Sequence, residues 1–121
     1  MSTDHRKLSA FTLADDFAVR VYAATKDFPT EERYGLRSQI RRSAVSIPTN
    51  IVESCARETH RERDRFLEIA FGSAREAVYL LDLAGRLDML NVDTARELAG
   101  LGGRIAAALA ALRKARATHI L

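Results

Sequence analysis

The chain has no tryptophan, one cysteine, two prolines and six glycines among its 121 residues. A single cysteine excludes an internal disulfide, so nothing in the composition asks for an oxidising compartment. So few prolines and glycines, set among many Ala, Leu, Arg and Glu, favour helix over sheet. No run of about 18 apolar residues is present, so no membrane span is expected. The polar opening Met1–Lys7 and the early acids Asp15 and Asp16 leave no apolar core for a secretory signal. A cytoplasmic protein is therefore expected. A dominant charge is missing too. With 19 Lys+Arg against 16 Asp+Glu the formal net charge is +3. That permits a nucleic-acid partner without demanding one.

What is present organises itself around Tyr34–Arg57. There the apolar residues Leu36, Ile40, Ala44, Ile47, Ile51 and Cys55 step by four, four, three, four and four, the spacing of one helical face. Gln39, Ser43, Ser46, Asn50 and Arg57 form a polar stripe beside it. Arg37, Arg41, Val45, Pro48 and Val52 flank the other side, and Pro48 should kink the helix. Cys55 sits on the apolar stripe as a core filler.

In chain order, a first helix spans about Leu8 to Lys26, with Phe11, Ala14, Ala18, Val21 and Tyr22 at helical spacing. Phe28-Pro29 ends it, and Thr30 then caps the second helix, with Glu31 and Glu32 in its first turn. Thr59 and Glu62 form a capping box that opens a third helix. From Phe66 to Leu87 apolar residues nearly encircle that helix, more than a surface helix of a lone bundle needs. It must be central or pressed against another subunit. Thr94 and Glu97 offer a second capping box, opening a fourth helix. Its glycines Gly100, Gly102 and Gly103 permit either close contact or a bend, and a frayed tail is expected from Ala115. The expected fold is all-α: one domain, residues 1–121, an antiparallel up-and-down four-helix bundle.

The chemistry-bearing residues are mostly arginines. From Arg33 to Val52 there are four and no acid, and Arg33, Arg37 and Arg41, spaced by four, stack along one helix edge. With Arg42 beside them, and Arg57 and Arg61 past the helix end, these six are the candidate nucleic-acid contacts. Arg104, Arg113, Lys114 and Arg116 form a further basic group. Each arginine taken singly also fits a solvated face with ion pairs. Asn50 and Glu53 either line a groove or satisfy backbone groups freed by Pro48. Glu76 is expected to pair with Arg41 or Arg42, Gly72-Ser73 to allow a close helix crossing, and Tyr34 and Tyr79 to pack.

Enzyme chemistry finds little footing. His5, His60 and His119 are scattered, no His-Glu-x-x-His occurs, and Gly100–Arg104 lacks the strand and Gly-Lys-Ser/Thr of a phosphate loop. Neither catalysis nor a metal or other cofactor is expected.

Several blocks carry a resemblance. Phe28-Pro29, Glu32–Leu36, Gln39–Ile47 and Asn50–Glu53, followed by Phe66-Leu67, Ala70, Gly72-Ser73, Glu76 and Tyr79-Leu80, resemble the 23S rRNA-intervening sequence proteins. The match covers roughly residues 10 to 90. Ser54 departs from it, since the family usually has glycine there. The resemblance implies a bacterial four-helix bundle that assembles into a ring-like homopentamer, with no established enzymatic activity. A related accessory protein of diversity-generating retroelements, similar in fold, binds nucleic acid and a protein partner through a basic surface.

The expected function is a self-assembling, nucleic-acid-associated bundle that contacts RNA or DNA. The subunit interface is expected on helix three, with Phe71 and Val78, together with Val45 and Val52 of helix two. The alternatives are a protein-interaction scaffold without nucleic-acid affinity and an antitoxin-like regulatory partner.

Overall fold

Residues 4–118 are described by the computed structural model, and every regular element in them is helical. Four α-helices run over Ser9–Ala24 (α1), Leu36–Ala56 (α2), His60–Arg86 (α3) and Val92–Thr118 (α4), with single 3-10 turns at His5–Lys7 and Thr30–Glu32.

The second helix starts differently from expectation. Thr30 begins the short 3-10 turn instead of capping α2, whose N-cap is Gly35. The Glu32 carboxylate accepts the Leu36 N–H at 2.8 Å, supplying the anion that a helix start favours. Downstream, Leu36, Ile40, Ala44, Ile47, Ile51 and Cys55 are all buried, as their spacing predicts. The helix continues through Pro48. Next to it the Thr49 hydroxyl donates to the Val45 carbonyl at 2.7 Å, and Asn50 Nδ2 donates to the Ser46 carbonyl at 2.7 Å. Asn50 therefore serves the backbone beside the proline, though not the Ala44 carbonyl that a proline at 48 deprives of its donor.

The α2–α3 joint is short and tied by side chains. Ser54, buried, donates its hydroxyl to the Arg63 carbonyl at 3.1 Å, so its side chain ties the end of α2 to the first turn of α3. Arg63 Nη1 donates to the Arg57 and Glu58 carbonyls at 2.9 and 2.7 Å. Thr59 caps α3, accepting the Glu62 N–H at 3.2 Å. At the other end Asp88, with φ 57°, occupies the left-handed region. The Met89 N–H reaches the Ala84 carbonyl at 3.0 Å and the Asp88 N–H reaches Gly85 at 3.2 Å, a Schellman closure. The cap of α4 is Asn91, whose Oδ1 accepts the N–H groups of Asp93 and Thr94 at 2.8 and 3.3 Å. Thr94 thus lies inside the helix; Asn91, three residues earlier, already satisfies the free donors. Helix α4 also persists past Ala115 to Thr118, where fraying was expected, and His119 lies outside the described residues.

Register shows the helices to be antiparallel. Down α3 from Gly85 through Val78 to Asp64, the facing residues climb α4 from Ala95 through Gly102 to Arg113. Between α2 and α3, Ser46 faces Ser73 and Ser54 faces Arg63. Helix α3 packs on both α2 and α4, and α1 closes the bundle against α2 and α4. The near-encircling apolar surface of α3 is accordingly used within the protomer. Leu67, Ala70, Ala74, Ala77, Leu81 and Ala84 are fully covered, and only Ile69 and Tyr79 among the large apolar residues of α3 are exposed. Small alanines let two neighbours approach one helix closely, so much of that breadth is taken up inside the bundle, while Phe66, Phe71, Val78 and Leu83 stay half-buried.

Candidate nucleic-acid interface

A basic concavity of about 350 Å³ opens where the C-terminal turn of α1 meets the first turns of α2. Tyr22 comes from α1, Arg33 and Tyr34 from the turn before α2, and Arg37, Ser38, Arg41 and Arg42 from α2 itself. No carboxylate lines it. Helical spacing brings Arg37 and Arg41 onto one edge, and the 3-10 turn carries Arg33 to the same mouth.

Arg41 is held most firmly. Its Nε donates to Thr25 Oγ1 at 2.8 Å, its Nη2 donates to the Tyr22 carbonyl at 3.1 Å, and its guanidinium lies 4.4 Å from the Tyr22 ring centroid. Thr25, fully buried, in turn donates to the Val21 carbonyl at 2.9 Å. Burial first, and the like charge of Arg37 second, pull the Arg41 pKa below the ordinary arginine value. It remains a cation at physiological pH. Arg41 is thus anchored to α1 and does not reach Glu76.

Tyr34 is 85% exposed, with the Arg33 guanidinium 5.6 Å from its ring centroid. The expectation that Tyr34 packs fails because the turn before α2 has no neighbouring element over it. Tyr79 is exposed as well. Tyr22, read from sequence as part of the apolar face of helix one, is 43% exposed and turns to Arg41 instead. The buried stripe is Ala10, Ala14, Phe17 and Val21, and a residue directly after Val21 falls about 100° around the helix from it. That offset was the available signal for Tyr22; nothing in the sequence pointed to Thr25 as the anchor.

The six candidate arginines do not form one surface. Arg33, Arg37, Arg41 and Arg42 come together. Arg57 ends α2, whose 21 residues span about 30 Å, so it lies at the far end of the bundle. There its Nη2 pairs with Glu53 at 2.7 Å and its guanidinium lies 4.8 Å from the Phe66 ring centroid. Arg61 shares its surroundings with Glu62, Asp64 and Glu68. In the third basic group, Arg113 is neutralised by Asp64 at 3.0 Å and Glu68 at 3.3 Å. Its hydrogen bond lowers the Asp64 pKa below the usual carboxylate value.

A second concavity, about 300 Å³, runs along the polar stripe of α2 against α3, lined by Gln39, Arg42, Ser43, Ser46, Ser73 and Glu76. Ser46 and Ser73 hydroxyls meet there at 2.8 Å. Glu76 and Arg42 both face it but form no ion pair, contrary to expectation. Gly72 is open to solvent with no close neighbour, so the tight crossing falls at Ser73 alone. Among the described residues no three His, Cys, Asp or Glu side chains cluster as metal ligands.

The four candidate interface residues divide. Val45 and Val52 are 39% and 36% exposed on α2, while Phe71 packs against the core. Val78 is half-buried, its Cγ2 within 2.8 Å of where a Cβ on Gly102 would stand. Gly102 is therefore a close helix contact, whereas Gly100 and Gly103 face open space. No helix among the described residues is long and apolar enough to cross a membrane.

A family model described as 23S rRNA-intervening sequence protein matches residues 6–111. Among solved structures, the chain is similar to a protein with unknown function from the S23 ribosomal protein family of Bacteroides thetaiotaomicron VPI-5482. The TM-score is 0.81 at 24% identity, covering 87% of this chain and 98% of that one, and the likeness bears on the fold alone. No curated protein matches the chain.

Proposed function

Because the chain belongs to the 23S rRNA-intervening sequence protein family, we propose that it is a non-enzymatic, cytoplasmic bundle that associates with nucleic acid through the Arg33–Arg37–Arg41–Arg42 concavity. The observation that carries this reading is four guanidinium groups around one mouth with no acid among them. Three of these, Arg33, Arg37 and Arg42, make no ion pair among the described residues. Like charges gathered without counter-ions repel one another, and a phosphate backbone is a ligand that relieves this. Equilibrium binding of labelled RNA and DNA across a salt series is the test. Affinity that falls linearly on a log–log plot supports phosphate contact; no binding even at low salt removes the reading.

A second reading, a protein scaffold, is favoured by Val45 and Val52, which stand exposed two helical turns apart. Thr49 between them donates its hydroxyl proton to the Val45 carbonyl, so that proton is not offered to solvent. We propose self-association along it, as a ring-like homopentamer. Sedimentation should then find a particle five times the 13.4 kDa chain mass, and a stable monomer at micromolar concentration would exclude it.

A further inference from the structure

Resting on the nucleic-acid reading above, we infer that the concavity takes a single strand, with one unpaired base stacked on Tyr34 and phosphates held by Arg37 and Arg42. An aromatic ring that is 85% exposed, beside a carboxylate-free basic mouth, has no role in holding the fold. One face of the ring is approached by the Arg33 guanidinium at 5.6 Å from the centroid, which leaves the opposite face for a base. The second tyrosine, Tyr22, is engaged by Arg41 at 4.4 Å and stays partly exposed, forming a further wall of the same cavity. Its volume of about 350 Å³ is enough to seat a single nucleotide. A duplex presents phosphates but keeps its base faces inside the stack, so Tyr34 would gain nothing from it unless a base were extruded at some cost. A single strand offers both, phosphate to the arginines and an open ring face to the tyrosine.

The experiment uses the full chain and a labelled oligonucleotide of about 12 nucleotides, as RNA and as DNA, single-stranded and as the matching duplex, each across the same salt series. Fluorescence anisotropy should give single strands an affinity roughly 10-fold above the duplex. Tyr34→Ala should lower single-strand affinity about 10-fold, with duplex binding and the salt slope unchanged, while Tyr34→Phe keeps the wild-type preference. An unchanged thermal midpoint in both variants confirms that the exposed ring leaves the fold alone. Equal affinity for single strand and duplex, or a Tyr34→Ala loss shared equally by both, overturns this inference while leaving the phosphate-binding reading standing. Absence of any binding overturns both.

Discussion

Arg41 Nε donates to Thr25 Oγ1 across 2.8 Å, and this bond joins the end of the first helix to the basic edge of the second. Thr25 is fully buried, so its hydroxyl has no water to fall back on. Thr25→Val keeps the shape but strands the guanidinium N–H, and should destabilise the protein by about 1–3 kcal/mol in urea denaturation. Thr25→Ser should recover most of the loss. A Thr25→Val protein as stable as wild type would show that the bond is incidental.

Three glycines of α4 should respond to alanine in opposite directions. Gly100 and Gly103 meet nothing within 4 Å, so alanine there brings only its better helix propensity, a gain of about 1 kcal/mol each. At Gly102 the new Cβ stands 2.8 Å from Val78 Cγ2. Valine in a helix has one strongly preferred rotamer and cannot swing aside. Overpacking of about 1–3 kcal/mol outweighs the propensity gain. Thermal melts that moved the same way for all three variants would contradict this packing.

Asp88 holds a left-handed conformation at φ 57° to close the α3 terminus. Asp tolerates that region better than alanine and worse than glycine. Asp88→Gly should therefore stabilise by up to about 1 kcal/mol, and Asp88→Ala should destabilise. Calorimetry should rank the three proteins in that order.

The Asp64–Arg113 pair links α3 to α4 and carries a pH signature. Arg113 lowers the folded-state pKa of Asp64, mainly by its hydrogen bond. The stabilisation is thus complete above the unfolded carboxylate pKa and is lost as pH falls through the lower folded value. Both side chains are about one-third exposed, so solvent screening holds the effect near or below about 1 kcal/mol. Asp64→Asn should cost this much at neutral pH, and the gap from wild type should close as pH falls below the ordinary carboxylate range and through the lowered Asp64 value. A gap that persisted in acid would assign it to packing.

Legibility followed locality. The apolar stripe of α2 and the Thr59 cap could be read because each depends on residues within one helix or one turn. The start of α2 was misplaced because a carboxylate at Glu32, acting across Gly35, does the work expected of Thr30. Breadth of apolar character on α3 signalled a central position as well as an interface, and periodicity alone cannot separate the two. The basic edge was visible as spacing, whereas its division into a four-arginine mouth and a neutralised far end required tertiary neighbours. Tyr22 and Thr25 meet Arg41 only because α1 packs on α2.

That division yields a last prediction. Replacing Arg33, Arg37 and Arg42 together with glutamine removes three guanidinium groups that have no ion pair among the described residues, and leaves Arg41 in its structural place. Stability should stay within about 1 kcal/mol of wild type, because Arg33 and Arg42 are exposed and the half-buried Arg37 makes no ion pair among the described residues. Oligonucleotide affinity should fall, and the log–log salt slope should flatten by about 1 for each phosphate no longer engaged. Arg61→Gln, amid Glu62, Asp64 and Glu68, should leave binding as it was. Arg57→Gln should reduce stability instead, since that guanidinium pairs with Glu53 and stacks on Phe66. Were Arg61→Gln to weaken binding as much as the triple change, the nucleic-acid surface would lie at the α2–α3 end, and the mouth beside Tyr34 would be a bystander.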